Sequence, residues 1–67
     1  MFNVMVMTWK NGDVTRHELK EPKSMAEVLT KATEEDWKDT AMVVFNYVTP
    51  EKVTVLGMWT NYEENAV

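Results

Sequence analysis

Cysteine is absent from the 67 residues, which removes disulfide staples, thiolate metal sites and a cysteine nucleophile in one step. Only one histidine is present, so no pair of imidazoles can hold a metal. No run approaches the roughly 20 apolar residues that span a bilayer. The opening residues, Met1-Phe2-Asn3, lack the basic segment and small-residue cleavage site of a signal peptide, and a cytoplasmic location is expected. Basic residues are outnumbered 7 to 11, for a net charge of -4, and this weighs against a partner held mainly through phosphate contacts. The local basic cluster Lys10, Arg16 and Lys20 is interrupted by Asp13 and Glu18. There is no glycine-rich phosphate loop, no serine nucleophile elbow and no metal-ligand pair at a recognised spacing. Repeats, linkers and low-complexity segments are missing too, so the whole chain, residues 1–67, is read as one domain. A domain of this length buries only about 60% of the surface its unfolded chain exposes, and association with another chain would add to a thin core.

With two glycines and two prolines, each of these residues carries weight as punctuation. Asn11-Gly12 lies between two runs of β-formers, and a two-residue type I′ turn, which needs positive φ at both positions, predicts a hairpin from Phe2 to Lys20. That turn sets Met7 opposite Arg16 and Val6 opposite His17. Because side chains alternate across a strand, one face then holds Phe2, Val4, Val6 and Thr8 with Thr15, His17 and Leu19. The other face holds Met5, Met7 and Trp9 with Val14, Arg16, Glu18 and Lys20.

Pro22 ends this hairpin on sequence grounds, and Ser24-Met25-Ala26-Glu27 has the form of a capping box. Met25, Val28, Leu29 and Ala32 share one side of a helix expected to end near Glu35. Two further strands, Ala41–Val48 and Lys52–Thr60, are joined at Thr49-Pro50-Glu51-Lys52, where Pro50 suits the second position of a type I turn. Their expected pairs are Phe45 with Leu56, Val43 with Met58 and Met42 with Trp59, unless a bulge at Gly57 flips the residues beyond it. The polar end, residues 61–67, is expected to fray.

The expected fold class is therefore α+β: a small ββαββ domain with a four-stranded, mainly antiparallel sheet and one helix on one face, in the order 2-1-3-4 or, as the alternative, 1-2-3-4 with the two hairpins side by side through a parallel pair. The side bearing Val4, Val6, Leu19, Val43, Phe45, Leu56 and Met58 is expected to lie beneath the helix. The opposite side would stay open and apolar, and patches of that kind mark interfaces. The candidate partner-binding residues are Met5, Met7, Trp9, Arg16, Met42, Val44, Val55 and Trp59.

Chemistry finds little footing. His17, expected to point inward, has no serine or cysteine partner and reads as a hydrogen-bonded structural residue rather than a catalyst. Glu34, Glu35, Asp36 and Asp39 form the densest carboxylate group, but their spacing matches no calcium loop, and they read as a solvated helix end. No metal, cofactor or catalytic residue is assigned. The functional expectation is a non-catalytic protein-interaction module that binds a larger protein or forms a homodimer. Its type is that of a phage or bacterial accessory or inhibitor protein. The competing expectation is single-stranded nucleic-acid binding, with bases stacking on Trp9 and Trp59; enzymatic or metal-dependent activity comes third.

Overall fold

The computed structural model describes residues 1–61. Its elements are β1 (Phe2–Trp9), β2 (Val14–Lys23), α1 (Met25–Lys31), α2 (Glu34–Trp37), β3 (Thr40–Val48) and β4 (Val53–Thr60). The strands form one sheet in the order β2-β1-β3-β4, every neighbouring pair antiparallel. This is a small α+β domain, with the two most apolar strands at its centre as their composition predicts.

The first hairpin closes differently from expectation. Gly12 donates to the Trp9 carbonyl at 2.9 Å and Trp9 donates to that of Asp13 at 2.8 Å. Only Gly12 has positive φ among the described residues, at 96°. These are the marks of a three-residue loop, a type I turn followed by a left-handed glycine, in place of a type I′ turn. Asn11 helps to set it, because its Oδ1 accepts from the Asp13 amide at 2.9 Å. The loop length moves β2 by one residue: Met7 faces Thr15, Val6 faces Arg16 and Met5 faces His17. A shift of one exchanges the two faces of a strand relative to its partner.

Pro22 does not end β2, which runs on to Lys23. As an edge strand β2 turns one side of its backbone to solvent, where a missing N–H costs nothing. At the far end of β1 the register shifts between Phe2 and Val4. There the Asn3 side chain takes over from the ladder, donating to the Val48 carbonyl at 2.9 Å and accepting from the Val48 amide at 2.8 Å.

The second hairpin turns through Pro50 and Glu51, closed by the Thr49 amide on the Lys52 carbonyl at 2.9 Å. Near the turn the expected pairs are present: Val48 with Val53, Tyr47 with Thr54 and Asn46 with Val55. Beyond it Leu56 is unpaired, and Phe45 meets Gly57, Val44 meets Met58, Val43 meets Trp59 and Met42 meets Thr60. This is the bulge foreshadowed by Gly57. Asn61 is held rather than frayed: its amide donates to the Ala41 carbonyl, and its side chain donates to the carbonyls of Thr40 and Trp37. The rest of the segment expected to fray lies outside the described residues.

The helical connection is split in two where one helix was expected. The chain turns extended at Ala32 (ψ 139°), and α2 begins after Thr33. Ser24 occupies the N-cap position of α1, but its side chain makes no capping bond. Glu27 instead bonds Lys31 at 3.0 Å, and that partner draws its carboxyl below the ordinary value. The capping box is at Thr33 and Asp36, where the Asp36 carboxylate accepts from the Thr33 amide at 2.8 Å and the Asp36 amide donates back to the Thr33 hydroxyl at 3.3 Å. The Thr33 backbone and hydroxyl bonds hold the Asp36 carboxyl below its usual range.

Removal of the cap by Thr33→Ala is expected to cost about 1 kcal/mol, and Ser24→Ala nothing measurable, in chemical denaturation at neutral pH. Because the Asp36 pKa is depressed by folding, its contribution is present above the unfolded value and lost as pH falls through the folded one. The difference between Thr33→Ala and the wild type should therefore shrink in acid. An equal loss in both variants at neutral pH would contradict this assignment of the cap.

Candidate functional site

The registers sort the side chains of the sheet into two faces, and burial shows which is covered. Phe2, Met7, Val43 and Phe45 form the buried cluster, with Met5, Trp9, Leu19, Met25, Val28, Trp37 and Trp59 packed against it. Met25, Val28 and Trp37 come from the helical segments, so the covered side carries Met5, Met7 and Trp9 of β1, Val43 and Phe45 of β3, and Trp59 of β4. Gly57 lies on the same side, and a Cβ there would run into the terminal methyl of Met25. The bare backbone thus makes the seat for α1. At the end of this layer the Trp37 and Trp59 rings lie 4.9 Å apart, tilted by 43°.

This placement corrects the expected face assignment. Of the candidate partner-binding residues, Met5, Met7, Trp9 and Trp59 lie on the covered side, with Met7 in the core itself. Met42, Val44, Val55 and Arg16 lie together on the other side, as strand alternation and the pairs Thr8–Met42, Val6–Val44, Asn46–Val55 and Val6–Arg16 require. Val4 also falls on this second face by register, yet it is buried and lies outside the core cluster, so the face is covered around Val4 and open elsewhere. Val6 shares that face, and Met58 is turned onto it by the bulge.

The resulting surface has an apolar body and one charged margin. Val14, Val53, Val55 and Met58 are 63%, 61%, 65% and 61% exposed, with the half-buried Val6, Met42 and Val44 between the two edges. Along β2 the Arg16 guanidinium pairs with the Glu18 carboxylate at 3.1 Å, an exposed pair worth little to stability. Asn46 sits within the apolar body, and its Oδ1 is buried without a hydrogen-bond partner. Sequence reasoning missed Met58 as a surface residue. The signal for it was Gly57, since a bulge there inverts every residue beyond it.

His17 also departs from expectation. It is exposed on the edge strand opposite Met5. Its Nε2 lies 2.8 Å from the Thr15 hydroxyl, which also accepts from the Trp9 indole N–H at 2.9 Å. The threonine was not foreseen as its partner. A shallow groove beside this trio is lined by Lys10, Asn11, Asp13 and Asp39. No group of three metal-ligating side chains comes together among the described residues. Glu35 of the acidic segment pairs with Lys38 at 2.8 Å, and Asp36 serves the cap. No helix among the described residues is long and apolar enough to cross a membrane.

The chain has no match among protein-family models, curated proteins or solved structures. Function must therefore be argued from this surface.

Proposed function

We propose that this chain is a non-catalytic protein-interaction module whose uncovered sheet face docks against an apolar surface of another protein. The observation that carries the reading is the exposure of Val14, Val53, Val55 and Met58 on one side of a sheet whose other side holds the core. An antiparallel sheet with one solvated face is normally polar on that face. Here the central strands instead alternate apolar with apolar, and a contiguous patch of this composition is the usual mark of an interface. Methionine at positions 42 and 58 suits the role, being adaptable and frequent at binding surfaces. Placement of Trp9 and Trp59 on the covered side weighs against the nucleic-acid alternative, which needs those rings displayed on the open sheet.

Val44 sits centrally on this face and on an interior strand, so Val44→Lys places a charge in the middle of the surface. A partner isolated from the source cells and then purified should bind the wild type directly and lose at least about tenfold in affinity with Val44→Lys, the scale of a central anchor. Binding should persist or tighten as salt is raised. Affinity that collapses with salt and ignores Val44→Lys would instead support a phosphate-bearing ligand and remove this reading.

A further inference from the structure

Asn11-Gly12 carries chemistry of its own besides closing the first hairpin. Next to an asparagine, a glycine nitrogen is the least shielded backbone nucleophile, since no Cβ stands beside it. Both residues are exposed, and a Cβ placed on Gly12 would meet nothing within 4 Å. Two sets of bonds hold the pair as it is. The Gly12 amide donates to the Trp9 carbonyl at 2.9 Å. The Asn11 side chain is bound at both ends to Asp13: its Oδ1 accepts from the Asp13 amide at 2.9 Å, and its Nδ2 donates to the Asp13 carboxylate at 3.1 Å. A type I turn also sets ψ of its second central residue, here Asn11, to about 0°. That value turns the Gly12 nitrogen away from the Asn11 side chain, whereas closing a five-membered ring through Cγ needs Cβ and that nitrogen eclipsed about the Cα–C bond.

We infer that Asn11-Gly12 is a site of spontaneous deamidation, and that the hairpin loop gates it. When the loop opens, the Gly12 nitrogen gives up its proton and attacks Asn11 Cγ. The new N–C bond closes a succinimide ring, the Cγ–Nδ2 bond breaks, and Nδ2 leaves as ammonia, taking up the displaced proton. Water then opens the ring. Cleavage of the bond at Cγ gives aspartate. Cleavage of the bond at the main-chain carbonyl gives isoaspartate, whose backbone runs through Cβ and Cγ and is longer by one atom. Either product adds a negative charge to the net -4. Aspartate sets that charge against the Asp13 carboxylate, where Nδ2 had been a donor. Isoaspartate lengthens a loop whose length sets the register of β2. The change is one-way: it loosens the β2 edge and displaces Val14, the first residue beyond the loop on the uncovered face. Each opening of the loop thus risks a permanent covalent change, whatever partner that face binds.

Incubation of the full chain at mildly alkaline pH, in buffer and in denaturing urea, followed by peptide mapping of the gain in mass, tests this. In urea Asn11 should convert ahead of Asn3, Asn46, Asn61 and Asn65, each of which is followed by a residue with a side chain, and its products should include isoaspartate. In buffer the conversion of Asn11 should be at least about tenfold slower, because it waits on local opening of the loop. Asp13→Ala removes the acceptor for Nδ2 and should speed the conversion in buffer at least about threefold, the scale of one hydrogen bond, with the rate in urea unchanged. Asp13→Asn keeps an acceptor there and should stay slow. If Asp13→Ala fails to fold, the comparison of the wild type in buffer and in urea decides. An Asn11 that converts no sooner in urea than the other asparagines overturns the site. Equal rates in buffer and urea, or a folded Asp13→Ala as slow as the wild type, overturn the gate.

Discussion

Phe45→Ala is expected to destabilise the domain by about 3–5 kcal/mol, the range for emptying a buried aromatic site. Phe45 is fully buried on the central strand β3, between Met5 of β1 and Gly57 of β4. Its ring meets Phe2 edge-on, with centroids 4.8 Å apart and planes at 70°, and such a pair adds about 0.5–1.5 kcal/mol beyond burial. Truncation leaves the Phe2 ring facing a void. Native domains hold only about 5–15 kcal/mol in total, and one this small sits at the low end of that range. Most of the margin should therefore vanish, seen as a large drop in denaturation midpoint and a substantial unfolded population near room temperature. A loss below about 1 kcal/mol would show that the layer of Phe2 and Phe45 is not the core.

Trp59→Ala should cost about 2–3 kcal/mol, less than full burial would give because the indole is partly exposed. It packs against the core cluster, pairs across the ladder with Val43 and stacks on Trp37. Met58, its neighbour in sequence, points the other way and stands 61% exposed. Met58→Lys should accordingly stay within about 0.5 kcal/mol of the wild type, as surface substitutions do. Measuring both by chemical denaturation checks the face assignment directly. A costly Met58→Lys beside a harmless Trp59→Ala would mean that the two faces are exchanged.

The local pattern of the chain is sufficient for its strands and both hairpin positions, and it favoured the order 2-1-3-4 while leaving 1-2-3-4 open. Asn11-Gly12 and Pro50 sit between runs of β-formers, and the apolar strands β1 and β3 take the centre because their side chains gain most from neighbours on both sides. The acidic balance, the lack of cysteine and the apolar excess on the sheet were legible in the same way. That excess goes beyond what the short helical connection can cover.

Which face stays uncovered was not legible. Val4 and Val6 compete with Met5 and Met7 on equal terms, and local periodicity has no preference between two apolar stripes. The choice turned on single-residue events: a hairpin loop of three residues instead of two, and an unpaired Leu56 before Gly57. Each inverts a strand relative to its neighbour because side chains alternate with a period of two. The helix break at Thr33 was not legible either: Ala32 is extended, Thr33 caps α2, and Trp37 of α2 lies against Trp59 at the end of the sheet. The sequence by itself determined four strands in two hairpins and an apolar excess; the order of the strands was settled by the tertiary structure. Only the tertiary structure decided that Trp9 and Trp59 go inside and Met42, Val44 and Met58 outside, because the missing side chain at Gly57 gives Met25 a seat on one face alone.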